Sequence, residues 1–332
     1  MNNFKKIGMT ALAASLVSTS VFAGEVTVAG GASINWENYS GVAKSSTKSF
    51  SMGNQLTFSG SGELDNGMTV GISFVLDQGD DETDNETGAG NSPFDSHSVS
   101  VSSDALGTLV FHGEGGDSAQ NAVGDTAAGN IWDNFDTRVT GAATLSESQA
   151  GNNIMHYTLP SLVDDLTVAV SYTPAGANDE SSSAFGLTYA GVEGLSVSYG
   201  QGSADGDAAG SGGTAANSDT TSLKASYAIG SFTLAYSDHD HDSNTDTSDQ
   251  TATSWKVSYT VSDAVSVTYG TESLDSAATA DTSDAEYTKI TASHTSGGMT
   301  VSANYQEATE MSYTTATDED EEYFGLSLSF AF

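Results

Sequence analysis

Three lysines and one acidic segment are the residues whose chemistry stands out. Lys224, Lys256 and Lys289 each lie where polar and apolar residues alternate, next to Leu223, Trp255 and Ile290. Each stands about five residues before the next turn-forming stretch. If the three segments run in the same direction, their ammonium groups form a row at one height on a polar wall. The acidic segment spans 115–150 and carries Asp117, Asp125, Asp133, Asp136 and Glu147, with Glu114 at its entrance and Arg138 inside it. Carboxylates facing a row of ammoniums across water create a transverse field, which low-dielectric walls focus. Such a field orders polar solutes and resists apolar ones. The plainer readings are three unrelated lysines and a solvated surface loop.

Other chemistry is thinly represented. The six histidines are scattered at His97, His112, His156, His239, His241 and His294. A nucleophile or acid–base catalyst needs convergent partners, and no Ser or carboxylate can be singled out beside them, so no enzyme is expected. Two acidic runs offer hard oxygen ligands suited to calcium: Asp77, Asp80, Asp81, Glu82 and Asp84, then Asp238, Asp240 and Asp242. Neither has EF-hand spacing, and a solvated face is the stronger reading. His239 and His241 lie among the second run as loosely spaced transition-metal candidates. There is no Cys, which removes disulfides and thiolate sites. With 44 acidic against 8 basic residues there is no basic patch for nucleic acid.

The elements that must position these residues are strands. In 166–172, Leu166, Val168, Val170 and Tyr172 alternate with small or polar residues, and 195–199, 232–236, 265–269 and 299–305 repeat the pattern. Period two places the named residues on one face. A second set, 185–189, 223–227 and 255–259, also ends in Tyr. The first set stops before long polar connections and the second before tight turns. Antiparallel pairing would put the two sets of Tyr at opposite edges of one apolar band, as in a membrane barrel.

Connection lengths alternate as well. Short ones contain Asn66-Gly67, Gly230 and Gly297-Gly298, which suit hairpins. Long ones fall near 78–94, 115–150, 202–218, 239–249, 274–284 and 308–320. The expected fold is all-β: a sixteen-stranded antiparallel transmembrane β-barrel with short periplasmic turns, long outer loops and its third loop folded inward. Strands are expected to start near 25, 48, 67, 95, 107, 151, 164, 183, 193, 219, 230, 250, 263, 285, 298 and 321. Ile131, Trp132 and Phe135 are candidate anchors for the third loop. Before the barrel, Lys5 and Lys6 precede an apolar stretch and then Val21-Phe22-Ala23. That order reads as a secretory signal peptide over 1–23, leaving 24–332 as the barrel.

Three segments and the last residue carry a family resemblance: 25–30 as a first strand, 107–113 leading into the long loop, Asn152, Asn153, Tyr157 and Pro160 after it, and the terminal Phe332. In these the chain resembles the Gram-negative general porins, and is similar in layout to those of alphaproteobacteria. The resemblance implies the bacterial outer membrane, with lipid and lipopolysaccharide around the barrel, a homotrimer, loop three constricting each pore, and Phe332 as assembly signal. It implies passive diffusion of small hydrophilic solutes and cations without a cofactor. One departure is plain: such porins line one wall with Arg, whereas Arg138 is the single Arg here. Missing Arg clusters disfavour anionic substrates, and the acid excess favours cations. A substrate-specific channel is the alternative, and a secreted acidic calcium-binding adhesin a more distant one.

Overall fold

The computed structural model describes residues 26–41, 48–77, 95–135, 152–174, 181–205, 217–243, 249–277, 283–311, 313 and 320–332. The expected signal segment 1–23, Asp80, Asp81, Glu82, Asp84, Asp136, Arg138 and Glu147 lie outside the described residues. The strands are β1 Thr27–Gly41, β2 Lys48–Glu63, β3 Thr69–Asp77, β4 Ser96–Ser103, β5 Gly107–Glu114, β6 Ile154–Thr158, β7 Leu166–Thr173 and β8 Ser182–Val192. They continue as β9 Leu195–Ala204, β10 Ser218–Ile229, β11 Phe232–Ser243, β12 Gln250–Ser262, β13 Val265–Ser276, β14 Ala285–Ser296, β15 Met299–Thr309 and β16 Glu321–Ala331. Each pairs antiparallel with its sequence neighbours, and β1 pairs with β16 to close the barrel. The expected starts agree closely; the largest offset is at the sixth strand, 151 against Ile154.

Alternation explains both faces. Along β11, Phe232, Leu234 and Tyr236 are exposed while Ala235, Ser237 and His239 turn inward. Apolar side chains exposed at alternate positions of strands around the wall are the signature of a lipid-facing surface. Toward the outer side the aromatic edge holds Trp36, Tyr236, Trp255, Tyr269, Tyr305 and Phe324, with Trp36 against Phe324 at 5.7 Å and Trp255 against Tyr269 at 5.7 Å. Tyr189, Tyr227, Phe232 and Tyr259 mark the turn side, where Phe232 and Tyr259 meet at 4.8 Å.

Above the outer aromatic edge the outward positions become acidic within two residues. Tyr236 donates its hydroxyl to Asp238 at 3.3 Å, and Tyr305 donates to Glu307 at 2.8 Å. Glu307 and Glu322 share one rung. Asp238, Asp240 and Asp242 were expected in a loop, but β11 runs to Ser243. The ladder continues because neighbouring strands satisfy its backbone groups on both sides, whatever the outward side chains are.

Phe332 adds a further rung to the closure made by β1 and β16. Gly30 N donates to Phe332 O at 2.8 Å and Phe332 N donates to Gly30 O at 2.9 Å. A Cβ at Gly30 would stand 2.7 Å from the Phe332 ring and 2.8 Å from Leu56, so glycine makes the room the ring occupies. Deleting Phe332, or changing Gly30→Val, should reduce the yield of folded barrel in detergent or liposomes. Heat-modifiable migration on a denaturing gel measures this, and Gly31→Ala, which meets only a backbone oxygen at 3.4 Å, should fold normally.

Candidate functional site

The site is the descent of the third loop across the inner wall. After β5 the chain turns inward at Gly115 and passes Asp117, whose carbonyl lies 3.2 Å from His156 Nδ1. A short 3-10 turn, Ala119–Ala122, then rests on β7 to β9. Ala119 N donates to Ser171 Oγ at 2.8 Å. Gln120 donates to Ser222 at 3.1 Å and accepts from Thr220 at 2.7 Å. Further along, Ala127 N donates to Ser237 Oγ at 2.8 Å and Ala128 N to Ser254 Oγ at 2.9 Å.

This docking answers a definite problem. A buried main chain must place its N–H groups on acceptors, and the barrel wall has used its own carbonyls in the ladder. Inward hydroxyls of β7, β11 and β12 supply the acceptors instead. Glycines supply the proximity. A Cβ at Gly186 would collide with the carbonyl of Ala119, and one at Gly200 would lie 2.7 Å from that of Gln120.

Glu272 is the strongest single anchor. It points inward from β13, is 1% exposed, and accepts from Thr126 Oγ1 and from Ile131 N, the latter at 2.5 Å. A second 3-10 turn, Ile131–Phe135, follows at once. Its Ile131, Trp132 and Phe135 are buried with Leu274, Tyr287, Met311 and Tyr323. Phe135 and Tyr287 rings lie 5.9 Å apart, and Asn134 donates to Gln306 at 2.9 Å. The apolar anchors expected from sequence are therefore in place, and the largest buried cluster of the described residues sits on the inner wall.

The expected wall lysines all face inward, in two roles. Lys224 donates to the main-chain carbonyls of Asp125 at 2.8 Å and Val123 at 3.4 Å, so it fastens the loop. Its hydrogen-bond acceptors are backbone carbonyls of the loop, while the Asp125 carboxylate attracts it as a nearby charge, and Asp125 and Asp133 act likewise on Lys289. Asp125 Oδ1 accepts instead from Asn130 at 3.1 Å. Lys256 and Lys289 share one rung, each paired with Gly270 between them. Lys224 pairs with Ser237, which faces Ser254, one inward position nearer the outer end than Lys256. Asp133 is exposed on the second 3-10 turn, Asp117 is exposed at the loop root, and Glu114 lies 3.7 Å from His97. His112 and His156 turn inward beside the loop root.

The run around His239 divides between the two faces of β11. Asp238, Asp240 and Asp242 stand on the outward positions, and His239 and His241 on the inward ones, with His239 Nδ1 3.0 Å from Ser222 Oγ. Among the described residues no group of three or more His, Asp or Glu is placed to hold a metal ion. Sequence reasoning missed the serine acceptors, the glycine seats, Gln120 and Glu272. One signal was available: Glu272 occupies an inward strand position, whereas most neighbouring strand acids lie on outward ones.

A model of the Gram-negative porin family matches residues 8–332. The chain belongs to the Gram-negative porin family. Solved structures share the fold. A loop-deletion mutant of OmpT, an outer membrane protein of Vibrio cholerae, is 16% identical, covering 92% of this chain and 99% of its own, with a TM-score of 0.68. The anion-selective porin of Comamonas acidovorans is 17% identical over 93% and 100%, with a TM-score of 0.66. In-vitro folded Vibrio cholerae OmpT in trimer form is 15% identical over 93% and 100%, with a TM-score of 0.65. A search of curated proteins gives no match. The outer membrane is the location of this porin, and its barrel is the element that crosses it.

In this porin the loop is seated at many points, and Glu272 and the Gly186 seat are where a single change acts on it most directly. Glu272→Ala leaves two donors without acceptors, and each buried unsatisfied group costs about 1–3 kcal/mol. Single-channel recordings should show larger and noisier openings than wild type. Gly186→Val should act in the same direction by lifting the first 3-10 turn. Openings unchanged in both would mean the loop does not narrow the path.

Proposed function

We propose that this porin forms a water-filled channel for passive diffusion of small hydrophilic solutes and ions, that it prefers cations, and that it works without an enzymatic step or cofactor. The observation that carries the reading is the third loop, fastened along one side of the lumen of a closed barrel whose remaining inward positions are mainly Ser, Thr, Asn and Gly. Water wets such a surface, while the loop reduces the cross-section available to solute. Selection is then by size and charge.

The charge argument runs from the whole chain to the lumen. The sequence carries 44 acids against 8 bases. Glu37, Glu114, Asp117, Asp125 and Asp133 lie on inward strand positions or on the inserted loop. Three lysines do not outweigh them, and Lys224 is engaged with loop carbonyls. We also read a homotrimer, supported by the trimer form of a structural neighbour, with outer-membrane lipid and lipopolysaccharide around it. A substrate-specific channel is the second reading, favoured by the two inward lysines on one rung.

Planar-bilayer recordings under a KCl gradient test the first reading. Stepwise openings with a reversal potential of cation sign are expected in dilute salt. The preference should weaken as salt rises, because the screening length falls from about 10 Å at 0.1 M to about 3 Å at 1 M. A reversal potential of anion sign in dilute salt would overturn the preference, and absence of openings would overturn the channel.

A further inference from the structure

His112 and His156 stand side by side on the inner wall where the third loop leaves it. They belong to the paired strands β5 and β6, with His112 opposite Ile154 and His156 opposite Val110. That register makes the two imidazoles diagonal neighbours on one face. Such positions are about 7–8 Å apart at the backbone, within reach of each other's rings. Both side chains are half-buried and face the lumen.

The root of the loop holds both rings. The carbonyl of Asp117 lies 3.2 Å from His156 Nδ1. A carbonyl only accepts, so Nδ1 carries the proton and Nε2 of the neutral ring keeps its lone pair. Metal-binding histidines are oriented in this way: one ring nitrogen donates to a backbone carbonyl, and the other is left fixed in direction and more basic. Gly116 packs on His112, where a Cβ would lie 2.5 Å from the His112 Cβ and 2.7 Å from its Cγ. The ring is thus located by backbone contact. Neither of its nitrogens makes a hydrogen bond among the described residues.

The surroundings favour a cation. The Asp117 carboxylate acts on His112 as a nearby charge, and it accepts no hydrogen bond among the described residues. Glu114 follows His112 two residues along β5. Residues 95–135 and 152–174, which include β4 to β7 and the first half of the loop, contain no Lys or Arg. The donor type selects the cation further. Imidazole nitrogen suits zinc, copper and nickel, whereas calcium and magnesium take oxygen ligands. Two protein nitrogens are fewer than the four ligands of a structural zinc site, so water completes the coordination and the ion exchanges.

We propose that His112 and His156, held under the root of the third loop, form an exchangeable lumenal binding site for a transition-metal dication such as Zn2+ or Cu2+. An ion held there adds positive charge to a path otherwise lined by acids, and its hydration water takes up part of the cross-section. The ion is a ligand that modulates the channel and not a cofactor it needs.

The full chain, refolded in detergent and in planar bilayers, provides the test. Cu2+ bound to the wild type should give an electron spin-echo modulation spectrum of two coordinated imidazoles. The double variant H112Q/H156Q should lose that spectrum and weaken apparent affinity about tenfold or more. Each single variant should retain one imidazole, which keeps the test decisive if the double variant does not fold. H294Q, on the exposed face of β14, should change nothing. In bilayers Zn2+ should lower wild-type conductance saturably, EDTA should restore it, and Ca2+ at equal concentration should not substitute. A wild-type spectrum without two imidazoles would overturn the site, as would one that survives in H112Q/H156Q or disappears in H241Q. Wild-type openings indifferent to Zn2+ would overturn its lumenal placement. Copper binding in detergent without any openings in bilayers would count against the channel reading and leave the site standing.

Discussion

Every main-chain N–H and C=O that crosses the hydrocarbon must find its partner inside the protein. In a sheet this is possible only if the sheet has no free edge. The pairing of β1 with β16, from Gly31 with Ala331 to Gly41 with Glu321, meets that demand. Much else follows from it. A closed sheet has two faces, so period-two alternation must send apolar residues to lipid and polar ones to the lumen. A sixteen-stranded circuit is too wide for side chains to fill, so the interior has to be water or inserted chain.

The third loop is the inserted chain, and it inherits the same main-chain problem in a wetter setting. Its N–H groups are answered by side chains of the wall: Ser171, Ser237, Ser254 and Glu272. The polar inner face is thus more than a wettable lining. On β7 to β13 it is a set of acceptors and gaps shaped to one backbone path, and the apolar cluster around Trp132 and Phe135 holds the far end. Because the loop lies along one side, the lumen has two unlike walls: one of strand, with Ser33, Asn35 and Glu37, and one of loop.

The barrel was legible because its signals repeat. Tyr236, Tyr269 and Tyr305 each end an alternating run before a long connection, and sixteen weak patterns in one order exclude most other folds. Ile131, Trp132 and Phe135 were legible as anchors because three large apolar residues in an otherwise polar segment need burial. The serine acceptors were not, since inward Ser and Thr are expected on every strand and nothing local tells a docking hydroxyl from a wetted one. Lys224 and Lys256 look alike in sequence; only the path of the loop separates a fastener from a free ammonium. The acids of β11 were assigned to loops because charge suggests a connection, whereas a barrel wall can rise well above the membrane.

The pairing of Tyr236 with Asp238 and of Tyr305 with Glu307 has a consequence for the bilayer itself. Apolar character ends and negative charge begins within two residues, about 7 Å of strand. A barrel that sank by that much would press carboxylates into hydrocarbon, and one that rose would strip lipid from Leu234 and its neighbours. The protein is therefore vertically stiff. When membrane thickness differs from the apolar band, the lipid has to deform around the wall, thickening or thinning in a ring, and proteins with similar bands would gather where that deformation is already made.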